Sequence, residues 1–205
     1  MNRDIKSKII MAAQEVIGER GLENISMRDI ADKLEISVGN LTYHFKKKED
    51  LIEAVVVEVR KQISFPPMPL NLRELNDFFR FALTIQQKNW YYLQNFTHLS
   101  QVSQKVHELQ INTYQSIFSS LQSSFHYMQL QGIVKKEELE GQLDHLAQAI
   151  LMITLYWVSQ SNLAQGGGFA DTPLQVSWSL IYPFLTEAGQ DIFQKEILPS
   201  ISAIN

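Results

Sequence analysis

Ser26-Met27-Arg28-Asp29-Ile30-Ala31, followed by Ile36-Ser37-Val38-Gly39-Asn40-Leu41-Thr42-Tyr43-His44-Phe45-Lys46-Lys47-Lys48-Glu49-Asp50-Leu51: the fold of this 205-residue chain is decided in that stretch. Ser26 and Asp29 have capping-box spacing, with Asp in place of the more usual Glu or Gln. The helix they open carries Ile30, Ala31 and Leu34 inward, which is enough for only about two turns. Ser37 is a second N-cap, opening another short helix through Leu41 to His44. From Lys47, the apolar residues Leu51, Ile52, Val55 and Val59 mark a longer helix ending near Ile63. Upstream, Ile5, Ile9, Ala12, Ala13, Val16 and Ile17 recur at helical spacing, and Gly21 is placed to stop that helix. Two short helices joined by about three residues, braced by a longer one on each side, form a helix-turn-helix.

The quoted string resembles the signature of the TetR family of bacterial regulators, over residues 5–63; the rest of the chain is similar only in length and all-helical layout. The resemblance implies a homodimer whose second short helix enters the major groove of a palindromic operator. By position, Ser37, Val38, Gly39, Asn40, Thr42, Tyr43 and His44 would face DNA. Arg28 would reach base edges or phosphate, and Lys48 would hold the backbone. The chemistry suits those roles: Asn pairs with adenine through two hydrogen bonds, and Val packs on a thymine methyl. Thr42, Tyr43, His44 and Lys48 suit phosphate oxygens, which set register. Phe45, Leu41, Ile30 and Leu51 belong to the core, and His44 could equally cap or pack.

Two positions depart from the family pattern. Thr42 stands where Tyr is usual, which shortens any phosphate contact there and passes part of it to Tyr43. Glu35 occupies a turn position where Gly is common, at a steric cost if its φ is positive.

Beyond the motif, Phe65-Pro66-Pro67-Met68-Pro69 cannot continue a helix, because its prolines lack donors and fix φ. The domain boundary is expected there, giving a DNA-binding domain over 1–64 and a helical ligand-binding and dimerisation domain over 65–205. One helical stripe follows in Leu72, Leu75, Phe78, Phe79, Ala82 and Ile85. A second runs through Val102, Val106, Leu109, Thr113, Ile117, Leu121, Phe125 and Met128, roughly 30 residues and so about 45 Å of helix, ended by Gly132. A third comprises Leu139, Leu143, Leu146, Ile150, Ile153 and Trp157. Gly166-Gly167-Gly168 reads as a loop. A last long helix is expected from Pro173 to Gly189, kinked at Pro183. No strand alternation is visible, so the expected class is all-α: a three-helix reader followed by a helical bundle.

The resemblance implies that the bundle encloses a small-molecule pocket and that its last two long helices dimerise. Helix 139–163 is apolar on more than one side, with Ala149, Met152 and Tyr156 beside the third stripe, which suits burial from several directions. The expected dimer residues are Ile150, Ile153, Trp157, Val176, Leu180 and Phe184. Aromatic residues are dense here, and Phe78, Phe81, Trp90, Phe96, Tyr114, Phe118 and Tyr156 are candidates to line a pocket for a largely apolar effector, although such a stripe also builds ordinary core. Release would be a population shift. Recognition helices about 34 to 36 Å apart match successive major grooves. Ligand would spoil that spacing by moving the helix over 47–63, the expected rigid link between the domains.

Composition constrains what else the chain can be. It is 45% apolar and 20% charged, which fits a folded protein. The net charge of −4 is unevenly placed: residues 1–64 carry 11 basic and 11 acidic residues, and residues 65–205 carry 7 and 11. DNA contact must therefore come from a local face, such as Lys46-Lys47-Lys48 with Arg28. Zero cysteines exclude disulfides and thiolate metal sites and suit a cytoplasmic setting. No secretory leader is legible, and the longest apolar run, 149–158, is too short to span a bilayer, so no membrane partner is expected. His98, His107, His126 and His145 show no metal-ligand spacing, and no metal or cofactor is expected. No nucleophile elbow or phosphate-binding loop points to an enzyme. The alternatives left are a helical interaction module without specific DNA binding and a ligand-dependent activator.

Overall fold

The computed structural model describes residues 2–164 and 172–202; the Gly166-Gly167-Gly168 loop lies outside them. Helix α1 (Asn2–Arg20) buries Ile9, Ala12, Ala13, Val16 and Ile17, and Gly21 stops it with φ 79°. Ile5, expected on that stripe, is surface-exposed one turn ahead of Ile9, where burial begins. Helix α2 (Met27–Lys33) starts at the reciprocal Ser26–Asp29 cap, and α3 (Val38–His44) starts where the Ser37 hydroxyl accepts the Asn40 N–H at 3.1 Å. Between them Glu35 adopts φ 55°, the strained conformation that its place in the turn foreshadows. In α4 (Lys48–Gln62) the first turn is held by the Asp50 carboxylate, which accepts the Lys47 N–H at 3.1 Å.

The chain continues through α5 (Leu72–Lys88), α6 (Trp90–Gln94), α7 (Phe96–Leu99), α8 (Gln104–Leu130), α9 (Gln142–Ala164), α10 (Pro173–Ile181), α11 (Glu187–Ile192) and α12 (Leu198–Ser202). Among the described residues there is no strand, only an isolated bridge between Val134 and Leu185. These elements pack as two units. The described residues through Ser64 join Asn89–Asn112 in one; Phe65–Lys88 joins the described residues from Thr113 onward in the other.

In the first unit, Leu41 and Phe45 from the α3 region lie buried among Ile9, Ile17, Ile30, Leu51 and Val55. Tyr91, Leu99 and Val106 belong to the same core, so α6, α7 and the start of α8 are built into the unit that carries the helix-turn-helix. The helix over 47–63, expected to link the domains, lies within this unit. Helix α4 ends within the first unit, before a non-helical stretch that contains Pro66, Pro67 and Pro69, whereas the unbroken helical backbone of α8 passes from one unit into the other.

In the second unit, α9 buries Leu143, Leu146, Ala147, Ile150, Leu151 and Leu155, a regular helical stripe. Leu139 is not part of it. It stands 71% exposed ahead of the helix, where Gly141 turns the chain with φ 76° and the Glu137 carboxylate accepts the Leu143 N–H at 2.7 Å. Helix α8 spans 27 residues, with Val102 left outside its start.

The expected single helix from Pro173 to Gly189 is also corrected. Pro183 breaks it: α10 stops at Ile181, a 3₁₀ turn covers Tyr182–Phe184, and Leu185 is extended before Thr186 caps α11. A proline without an N–H inside a helix removes a backbone bond and crowds the preceding turn. Gly189 therefore lies within α11, not at a terminus. It is buried, and a β-carbon there would collide with the Ile133 carbonyl. A π-helical turn, Phe193–Ile197, leads into α12. Trp178 anchors this end. Its ring meets Phe79 and Phe193 at 5.7 and 5.2 Å, and its indole N–H donates to the buried Asn76 side chain at 3.0 Å.

Candidate nucleic-acid interface

The two helices of the motif are oriented by local caps and by burial of one side each. Leu41 is fully buried, whereas Ser37, Val38, Gly39, Asn40 and Tyr43 are all exposed, Tyr43 at 77%. Arg28 is exposed on α2, and Lys46 and Lys47 are exposed just beyond α3. The exposed set of side chains thus joins a planar amide, a small apolar contact, a glycine and several cations, which suits base edges and phosphates.

Several side chains have tasks that the sequence did not disclose. The Thr42 hydroxyl donates to the Gly39 carbonyl at 3.1 Å, so its proton is committed within the helix. Tyr43 meets His44 edge-on at 5.2 Å. Lys48 is half-buried, and its ammonium reaches the Glu23 carbonyl at 3.4 Å. Lys6 places its ammonium 5.2 Å from the centre of the Phe45 ring, a cation–π contact linking α1 to the end of α3.

The α1–α2 junction is held by charge. Lys33 reaches Glu15 and Glu19 at 3.0 and 3.1 Å, and Arg20 reaches Asp29 at 2.9 Å. Hydrogen bonds from the Ser26 side chain and backbone, with Arg20 adding its charge, hold the Asp29 carboxyl below the ordinary aspartate value. Carboxylate bonds hold the Lys33 ammonium above its ordinary value, Glu15 first and then Glu19.

The remaining sequence candidates fall as follows. Trp90 and Phe96 lie in the first unit; Phe78, Phe81, Tyr114, Phe118 and Tyr156 lie in the second. Phe78 is buried, Phe81, Phe96, Tyr114 and Phe118 are half-buried, and Trp90 and Tyr156 are exposed. A groove in the second unit is lined by Trp178, Tyr182, Phe193 and Leu198 among others, and by none of those seven. Of the dimer candidates, Ile150 is wholly inside its own unit, Ile153, Trp157, Val176 and Phe184 are half-buried, and Leu180 is exposed. Met152 and Tyr156, at helical spacing on α9, stand exposed beside Ile153 and Trp157. Among the described residues no cluster of three metal-ligating side chains occurs, and no helix is long and apolar enough to cross a membrane.

Comparison with known proteins gives two family matches. Residues 9–55 match the family described as bacterial regulatory proteins, tetR family; residues 57–193 match the TetR family described as bacterial transcriptional repressor. The chain is 38% identical over 53 residues to the HTH-type transcriptional regulator UidR of Escherichia coli (strain K12), a match that covers 26% of this chain and 27% of that protein. The chain therefore aligns with about a quarter of the length of that relative. Solved structures align over nearly the whole length. A TetR-family transcriptional regulator from Marinobacter aquaeolei VT8 superposes with TM-score 0.78 at 17% identity, over 97% of each chain. AibR in complex with isovaleryl coenzyme A and operator DNA superposes with TM-score 0.60 at 16% identity, over 88% of this chain and 97% of that one.

Proposed function

The chain belongs to the TetR family of bacterial transcriptional regulators, and from that premise we propose that it is a ligand-responsive repressor that binds a palindromic operator as a homodimer. The observation that carries this reading lies at α3 and its cap: Leu41 is sealed in the core, while Ser37, Val38, Gly39, Asn40 and Tyr43 are all exposed. A helix used only for packing has no need of a glycine and an amide side by side on its solvent side. Asn40 reads a base edge, Val38 packs on a methyl group, and Tyr43, His44, Arg28 and Lys48 hold phosphates.

In this reading the helix-turn-helix within residues 1–64 is the reader, and the unit formed by Phe65–Lys88 and the described residues from Thr113 onward is the sensor and dimerisation region. Met152, Tyr156 and Leu180 supply exposed apolar surface for a two-fold helical interface, with Ile153, Trp157 and Val176 behind them. The effector is a small, largely apolar molecule. AibR, solved with an acyl coenzyme A and operator DNA together, gives the precedent for both partners in one fold. The movement that releases DNA enters the first unit along α8, whose helical backbone is continuous into it.

A gel shift with the DNA upstream of the chain's own gene, at two salt concentrations, tests the reading. Specific binding that weakens steeply with salt is expected, because each neutralised phosphate releases counterions. Absence of specific binding would favour an interaction module, the reading to which the zero net charge of residues 1–64 lends support.

A further inference from the structure

Glu53 lies on α4 and is half-buried. Its carboxylate meets the Lys105 ammonium at 3.1 Å and accepts the Ser103 hydroxyl proton. Ser103 is the residue on which α8 starts. Its hydroxyl oxygen accepts the Val106 N–H at 3.2 Å, and its carbonyl accepts the His107 N–H at 3.0 Å. A serine hydroxyl has one proton and two lone pairs, so the same group caps α8 and donates to α4. The carboxylate is thereby placed at the positive end of a 27-residue helix dipole. The Ser103 hydrogen bond, with Lys105 adding to it, holds the Glu53 carboxyl below its ordinary value. The groove bordered by Tyr43, His44, Phe45 and Lys46 at the end of α3 is bordered also by Glu53 and Lys105, so the clasp and the recognition helix share one wall.

We propose that Glu53 is a positioning residue for DNA recognition: it clasps the first turn of α8 to α4 and so fixes the pose of the recognition helix that α4 follows. This rests on the DNA-reading role proposed above. The clasp is a polar fastening between α4 and α8, the helix that continues into the second unit, so displacement of α8 acts on α4 through it. No DNA contact by Glu53 is involved. The sign of the effect separates this role from bulk electrostatics, because removing a carboxylate from a DNA-binding unit should by itself strengthen attraction to a polyanion.

The test uses the full chain and a duplex selected by the wild-type protein from random-sequence DNA, with a random duplex as control. Glu53→Gln is expected to weaken binding to the selected duplex by about 5-fold or more, the lower end of site-to-site couplings. Binding to the random duplex should stay level or tighten. Ser103→Ala, which alters no charge, is expected to have the same effect, and the double variant should be no weaker than either single one because both act through one clasp. Thermal melts identify the folded variants, and Ser103→Ala keeps the test open should Glu53→Gln fail to fold. Wild-type affinity in the folded variants, or equal weakening on both duplexes, would overturn the proposal. A wild-type chain that selects no duplex would overturn the DNA reading itself, and this proposal with it.

Discussion

Asn40 carries the sharpest consequence of the account. Its backbone is tied into the cap by Ser37, while its side chain stands exposed on the outer side of α3. Asn40→Ala should cost about 1–3 kcal/mol on the specific site, the value of a good amide–base pair, and relax preference at one base position. Fluorescence anisotropy with site variants reads both effects; uniform loss across all sequences would mean that Asn40 only contacts backbone. Asp29 carries a pH consequence. Its folded-state pKa lies below the free value of 3.8, so its contribution to stability is present above that value and lost as pH falls below it through the folded-state pKa. Denaturant midpoints measured between roughly pH 5 and 3 should fall less steeply for Asp29→Asn than for wild type. Both caps and the strained turn at Glu35 were legible in the sequence because their partners lie within three or four residues. Lys6 with Phe45, and Glu53 with Lys105, join residues far apart in the chain, and no local spacing announces them.

At the scale of elements, apolar periodicity located the long helices, missed the short α6, α7 and α12, and placed helix ends less well. Leu139 extends the α9 stripe on paper, yet Gly141 turns the chain before the helix begins. Pro183 was visible as a disturbance, but whether a proline kinks or breaks a helix depends on what holds the next segment. Here the Thr186 hydroxyl donates to the Gly132 carbonyl at 2.7 Å, and the Lys135 N–H donates to the Phe184 carbonyl at 2.8 Å, fixing the chain in its broken path. Gly189 completes that junction by letting α11 approach Ile133 closely. Gly189→Ala should destabilise the protein by about 1–3 kcal/mol, the usual range for forcing extra volume into a packed site. Urea unfolding followed by circular dichroism measures it; an unchanged midpoint would show that the junction has slack.

At the scale of the whole molecule, the sequence located the helix-turn-helix and the all-helical class but not how the chain divides between packing units. Residues 89–112 follow the proline segment and α5, so linear reading assigns them to the sensor; packing assigns them to the unit that holds the helix-turn-helix, because Tyr91, Leu99 and Val106 complete its core. In the proposed homodimer, exposed Met152 and Tyr156 on α9 supply paired apolar surface. Replacing both with Glu should shift the mass from dimer to monomer in light scattering and abolish cooperative operator binding; a dimer that survives the change would place the interface elsewhere. The central claim remains that α3, duplicated by two-fold symmetry, reads DNA. Hydroxyl-radical footprinting on a duplex selected by the wild-type protein tests it most directly. The account predicts two protected half-sites related by a palindrome and centred about 10 base pairs apart, one turn of the double helix. A single unpaired footprint, or protection without sequence preference, would contradict it.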